Sequence, residues 1–142
     1  MKAQAETAVR ETYRIVGEET ISCQDYVNGR VFDDAVSYSF YPIDLHDRDG
    51  VKPQLLREGV VATVPIRALI PKGSKNLLVA GRSISSDRLA NSALRVQASS
   101  MAMGQAAGAA AALSASQGKS PIQIQISELI DKISIKTRQY AK

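Results

Sequence analysis

The sequence predicts an α+β chain, and three observations carry that reading. The stretches 37–46 ("SYSFYPIDLH") and 58–70 ("EGVVATVPIRALI") are rich in β-branched and aromatic residues and read as strands. A short apolar run, "LLVAG" at 77–81, reads as a strand buried on both faces, and a loop then leads into a helix of very small residues. The final segment places Leu129, Ile130, Ile133 and Ile135 at helical spacing.

Taken in order, residues 2–12 predict an alanine-rich helix that starts abruptly, with no capping residue, as a cut helix would. Arg14–Thr20 reads as a strand. Ser22 is an N-cap for a short helix over Gln24–Asn28, and Asn28-Gly29 ends it. "FDDAVSY" is ambiguous, and the strand at 37–46 follows. Residues 47–54 form a polar loop. Pro65 places the 58–70 strand, or pair of strands, at an edge or a bend. Residues 71–76 are a turn. After the 77–81 strand, a loop runs from Arg82 to Ser99, and Ser99 or Ser100 caps a helix reaching about Ser116. "IQIQI" at 122–126 alternates like a strand, and the last helix starts at Ser127.

Length and composition bound the function. The 142 residues suit one ordinary domain with a real core, and 44% hydrophobic content excludes wholesale disorder. With no tryptophan and two phenylalanines, that core must be aliphatic. The net charge of +4 is scattered, with no run of four cations, which argues against a nucleic-acid surface and leaves attraction to an anionic small molecule open. Cys23 is the only cysteine and His46 the only histidine, so an internal disulfide and any multi-Cys or multi-His metal site are excluded. The amino-terminal residues lack the apolar core of a signal peptide, and no stretch is long and apolar enough to cross a membrane.

The segment 76–113 concentrates the chemistry. Gly104 and Gly108 stand four apart and share a helix face, with Ala107 and Ala111 beside them. Such a face admits another backbone, or a flat ligand, at close range. The helix N-terminus presents free N–H groups and partial positive charge, which suits an anion or an electron-rich ring edge. The same small residues also serve simple tight packing. Arg82, Arg88 and Arg95 in one loop suggest an anion site, although each alone reads as surface.

"ALIPKGSKNLLVAGRSISSDRLANSALRVQASSMAMGQAAGAAAAL" resembles the C-terminal signature of a family of FAD-dependent oxidoreductases. Their flavin fold is glutathione-reductase-like, distantly related to fumarate reductases and succinate dehydrogenases. "RETYRIVGEETIS", "FDDAVSYSFYPIDLH" and "VPIRALIPKG" match the same family in the same order, so the resemblance covers roughly residues 9–116. It implies that residues 1–70 are part of a mainly antiparallel substrate domain. Residues 71–142 are then the C-terminal part of a Rossmann-like FAD-binding domain with a terminal helix. Leu77–Gly81 would be its last strand. Gly81, Arg82 and Ser83 would lie near the ribityl chain. Gln97, Ala98 and Ser99 would meet the flavin's pyrimidine side, and Gly104 would lie on the smooth face beyond. Arg95, in "ALRV", matches a family position. Arg88 stands where a histidine is often found, and His46, from "YPIDLH", could face the active site, as could Asp44; Arg95, Arg88 and His46 are the catalytic candidates.

The chain departs from the family's pattern at Ala98 and Ser100, where a Pro and a Cys are usual. It also holds no G-x-G-x-x-G, the fingerprint that binds the ADP half of FAD. The resemblance therefore implies the C-terminal part of a longer, bacterial-type enzyme whose full-length form binds FAD, and leaves open whether this part binds it alone. The substrate is an unidentified small molecule. Exposed strand edges would favour homo-oligomers. Cytoplasm and periplasm stay open, because any targeting segment would lie upstream. The alternative is a non-catalytic interaction or carbohydrate-related binding module using the Gly104/Gly108 face.

Overall fold

The computed structural model describes residues 11–45 and 52–133. It is α+β: helices α1 (Cys23–Val27), α2 (Arg88–Leu94), α3 (Gln97–Gln117) and α4 (Ile126–Ile133), with strands β1 (Ala35–Ser39) and β2 (Ala62–Pro65). The expected 2–12 helix falls largely outside the described residues, and Glu11 and Thr12 are not helical.

Helix α1 forms where its cap says it should. The Asp25 N–H donates to Ser22 Oγ at 3.0 Å, and the Ser22 N–H donates to Asp25 Oδ2 at 3.1 Å, closing a capping box. Gly29 follows at φ 65°, and a Cβ there would lie 2.6 Å from Val60 Cγ1, so both backbone and space demand glycine.

β1 and β2 pair antiparallel, with Ser37 opposite Val64 and Ser39 opposite Ala62, and a bulge between Ala35 and Ser37. Arg67 clamps the far end. Its backbone N–H and Nε reach Asp34 Oδ2 at 3.1 and 3.0 Å, and its Nη2 reaches Oδ1 at 3.1 Å. That partner holds the guanidinium charged even more firmly than usual.

One core joins these elements. Ile21, Tyr26, Val36, Val64, Leu69, Ile84, Leu94, Met103 and Leu129 are buried together. As composition requires, it is aliphatic, with Tyr26 as its one fully buried aromatic side chain. α3 is the spine: Met103, Ala106 and Ala110 face the core, and Gly118 ends the helix in a left-handed turn at φ 62°. Leu129 and Ile133 anchor α4, with Ile130 half-buried; Ile135 lies outside the described residues.

Several expected strands differ, for one reason: a strand needs paired neighbours, and apolar content alone does not supply them. Arg14–Thr20 makes a single isolated bridge, Gly17 to Pro71, although it is well bonded, with the Ile15 N–H on Ser83 O and the Glu18 N–H on Ile70 O, each at 2.9 Å. The 37–46 strand is β1 and stops at Ser39; beyond Pro42 it resumes only as an Ile43–Gln54 bridge. The 58–70 strand shortens to β2, and the chain after Pro65 tightens into a 3₁₀ turn, Ile66–Leu69. Leu77–Gly81 is not a strand: 77–80 has no regular structure, Ala80 is extended, and Gly81 already opens a 3₁₀ turn. Val79 donates to Leu69 O at 2.8 Å on one side, and no second strand flanks it among the described residues. "IQIQI" is not a strand either. Pro121–Gln123 is a 3₁₀ turn and Ile126 already belongs to α4. The supposed loop 82–99 contains α2, capped by Asp87, whose carboxylate accepts from the Ala90 N–H at 2.7 Å. α3 then begins at Gln97, ahead of the expected serines.

Candidate functional site at the N-terminus of α3

Three pieces of chain converge at the head of α3: the 3₁₀ turn Gly81–Ser83, the corner Arg95–Val96, and the first helical residues Gln97, Ala98 and Ser99. The turn begins with Gly81 at φ 78°, a left-handed conformation that L side chains rarely adopt. A Cβ there would sit 3.7 Å from Ser100 Oγ, so the turn packs directly on the first helical turn.

That helical turn is electrostatically open. The N-cap is Val96, which offers no side-chain hydrogen bond, and no acidic residue occupies the first turn. The opening N–H groups are thus left with the partial positive charge of a 21-residue helix. Gln97 and Ala98 are exposed, and neither presents a charge of its own. An electron-rich carbonyl edge or an anion is the group such a surface receives.

The other sequence-predicted residues divide. Arg82 is exposed and Ser83 half-buried; the Arg82 carbonyl accepts from Asn91 Nδ2 at 3.1 Å, and the Ser83 carbonyl from the Ile15 N–H at 2.9 Å. Arg95 stands at the corner, its Nη2 donating to Asp44 O at 3.2 Å. The Asp44 N–H donates to Ser92 Oγ at 3.1 Å. Arg95 and Ser92 therefore hold the segment that leads toward position 46 against the α2–α3 corner. His46 itself lies outside the described residues. Arg88 opens α2 and pairs with Glu11, Nε to Oε2 at 3.1 Å, an exposed bridge. Gly104 is about two turns down the helix. It is exposed, with nothing within 4 Å of the place a Cβ would occupy, and Gly108 is the same.

Sequence reasoning missed what stands behind the site. Asn91, 3% exposed, bonds both Arg82 O and Ser86 Oγ at 3.1 Å and so fixes the turn. Its signal was an Asn-Ser pair inside the apolar spacing of α2. Tyr26 and Ser39, which back Ser99, are distant in sequence and gave no local signal. Burial pushes the Tyr26 phenol up to about 12, against the pull of its Ser39 and Tyr41 hydrogen bonds.

A concavity of about 630 Å³ runs along the far half of α3, away from this terminus, lined by Leu77, Leu78, Ala107, Gly108, Ala111 and Ser114 among others. Among the described residues no group of three or more His, Cys, Asp or Glu is placed to hold a metal ion, and no helix is long and apolar enough to cross a membrane.

The sequence profile of the FAD dependent oxidoreductase family matches residues 1–133. The chain belongs to that family. No curated protein and no solved structure matches it significantly. For this FAD dependent oxidoreductase the cofactor of the full-length protein is FAD. The residues present fit the ring side of that group. An uncapped helix terminus with no acidic residue is the kind of surface that suits an electron-rich edge, and Gly81 beside it carries no side chain. They do not supply a dinucleotide fingerprint, since no G-x-G-x-x-G occurs in the chain.

Proposed function

We propose that the chain is the C-terminal portion of an FAD-dependent oxidoreductase of the glutathione-reductase-like type, and that it provides the isoalloxazine and ribityl side of the flavin site together with part of the substrate site. The observation that carries this reading is the uncapped, acid-free first turn of α3 beside the left-handed Gly81. Bound FAD supplies hydride or electron transfer.

The chain's own residues bind and orient. The N–H groups of Gln97, Ala98 and Ser99 would hold the pyrimidine edge, where negative charge grows on reduction, and the helix terminus favours that charge. Gly81, Arg82 and Ser83 would border the ribityl chain. Arg95 and Arg88 offer cations to an anionic substrate, and His46, this chain's one histidine, is its candidate for proton transfer. Residues 1–70 belong on this reading to the substrate domain and 71–142 to the FAD domain. The smooth Gly104/Gly108 face and the groove beside Leu77 then receive the remaining part of the flavin domain. Without it, the same edges favour pairing of one copy with another.

The test is the flavin content of the full-length protein that carries this chain. A yellow preparation with a flavin absorption band, lost on unfolding and restored by FAD, supports the reading. A colourless protein that FAD does not reconstitute overturns it.

A further inference from the structure

Behind the open end of α3 runs a line of three buried hydroxyls. Ser99 Oγ lies 3.0 Å from Ser39 Oγ, and Ser39 Oγ lies 2.9 Å from the Tyr26 hydroxyl. The Tyr26 hydroxyl donates to the Tyr41 carbonyl at 2.7 Å. Ser99, Ser39 and Tyr26 are 4%, 2% and 1% exposed, so water does not complete the set.

The direction of every proton in this line follows from its last member. A carbonyl only accepts, and each hydroxyl has one hydrogen to give. Tyr26 gives its hydrogen to Tyr41 O, so it must accept from Ser39. Ser39, having given its hydrogen, must accept from Ser99. The Ser99 hydrogen therefore points inward, away from the helix terminus, and Ser99 Oγ has no hydrogen to donate to a ligand there.

We propose that Ser99, Ser39 and Tyr26 form a one-way hydroxyl relay that positions the first turn of α3 on β1, holding its backbone N–H groups where they meet the flavin edge. The flavin half of this statement rests on the function proposed above. The three are positioning residues: they reach the ligand only through the backbone of the turn they hold. The relay also explains why a serine stands inside the helix. A first-turn serine can turn back to accept from the N-cap N–H; here the Ser99 hydroxyl is instead committed inward to Ser39.

The direction dictates the test. Removing the Ser99 hydroxyl orphans no buried donor, because Ser99 only gives. Removing the Tyr26 hydroxyl strands the Ser39 hydrogen and the Tyr41 carbonyl together. Ser99→Ala and Ser39→Ala are therefore the informative variants, and Ser37→Ala is the control: Ser37 lies on the same strand, 3% exposed, with no hydrogen-bond partner among the described residues. Amide hydrogen exchange in the full chain reads positioning directly. The Ser100 N–H, bonded to Val96 O at 2.9 Å, closes the first turn. Its exchange is expected to quicken about tenfold in Ser99→Ala and in Ser39→Ala, the equivalent of one buried hydrogen bond. The double variant should be no faster than either single one, Ser99→Thr should restore protection, and Ser37→Ala should leave it unchanged. No change in either alanine variant, or an equal change in Ser37→Ala, overturns the relay. In the flavin-loaded full-length protein, Ser99→Ala should shift the flavin reduction potential to more negative values, with Ser99→Thr near wild type. An unshifted potential alongside quickened exchange overturns the link to the flavin and leaves the relay standing. Failure of the wild-type protein to bind flavin overturns the functional reading, and the exchange measurement still decides the relay.

Discussion

At the scale of single residues, backbone geometry and small hydrogen-bonded clusters set the terms. Gly81 holds φ 78° with room for a methyl group, so Gly81→Ala meets backbone strain and no clash. The expected loss is about 1–2 kcal/mol, read by urea denaturation. Ser22 and Asp25 cap each other, and Arg30 adds a 3.0 Å bridge to Asp25. Burial works against ionisation of Asp25, but the hydrogen bonds from Ser22 and the Arg30 charge outweigh it and hold the carboxyl below its ordinary value. Because the folded-state value is the lower one, the stabilisation is fully present above the unfolded value. It is lost as pH falls through the folded one. Ser22→Ala should cost about 1 kcal/mol at neutral pH, and denaturation midpoints followed into acid should show a shallower decline in the variant. An unchanged acid slope would count against this cap as the source of the acid sensitivity.

At the scale of elements, α3 carries two surfaces with opposite demands. Its N-terminus gains stability from a negative charge and, on the proposed function, loses flavin affinity from the same charge. Ala98→Asp should therefore stabilise the chain by about 0.5 kcal/mol while weakening flavin binding and making the flavin harder to reduce. A variant in which both properties rise would sink the placement of the flavin there. The second surface is the exposed stripe through Gly104 and Gly108. Nothing in the described residues crowds either glycine, so Gly108→Ala should raise stability by up to about 1 kcal/mol through helix propensity alone. If that face receives the rest of a flavin domain, the same substitution in the full-length protein lowers flavin retention. Thermal denaturation and flavin content, measured on both, separate the two effects.

At the scale of the whole molecule, one core lies beside an exposed apolar edge. Leu77 is 52% exposed, and among the described residues the segment that holds it makes one backbone bond, from the Val79 N–H to Leu69 O. Such an edge invites pairing. The chain alone is expected to self-associate with rising concentration in sedimentation velocity, and Leu77→Lys is expected to return it toward monomer; a wild-type chain that stays monomeric throughout contradicts this.

How much of this was legible in the sequence depended on how local each cause was. The α1 cap and the amphipathic α4 rest on residues within one or two turns of each other and read directly from the order of residues, and the aliphatic character of the core reads from composition. The ordered motifs at 9–116 also carried the family, and with it FAD. The tertiary structure alone decided which apolar runs become strands. "LLVAG" and "IQIQI" have the composition of strands, but ladder hydrogen bonds come from neighbours that composition does not name. It alone made α2 out of a supposed loop, and it alone brought Tyr26, Ser39 and Ser99 into one line. Those three residues are far apart along the chain, and only packing of α3 across β1 brings their hydroxyls within hydrogen-bonding distance.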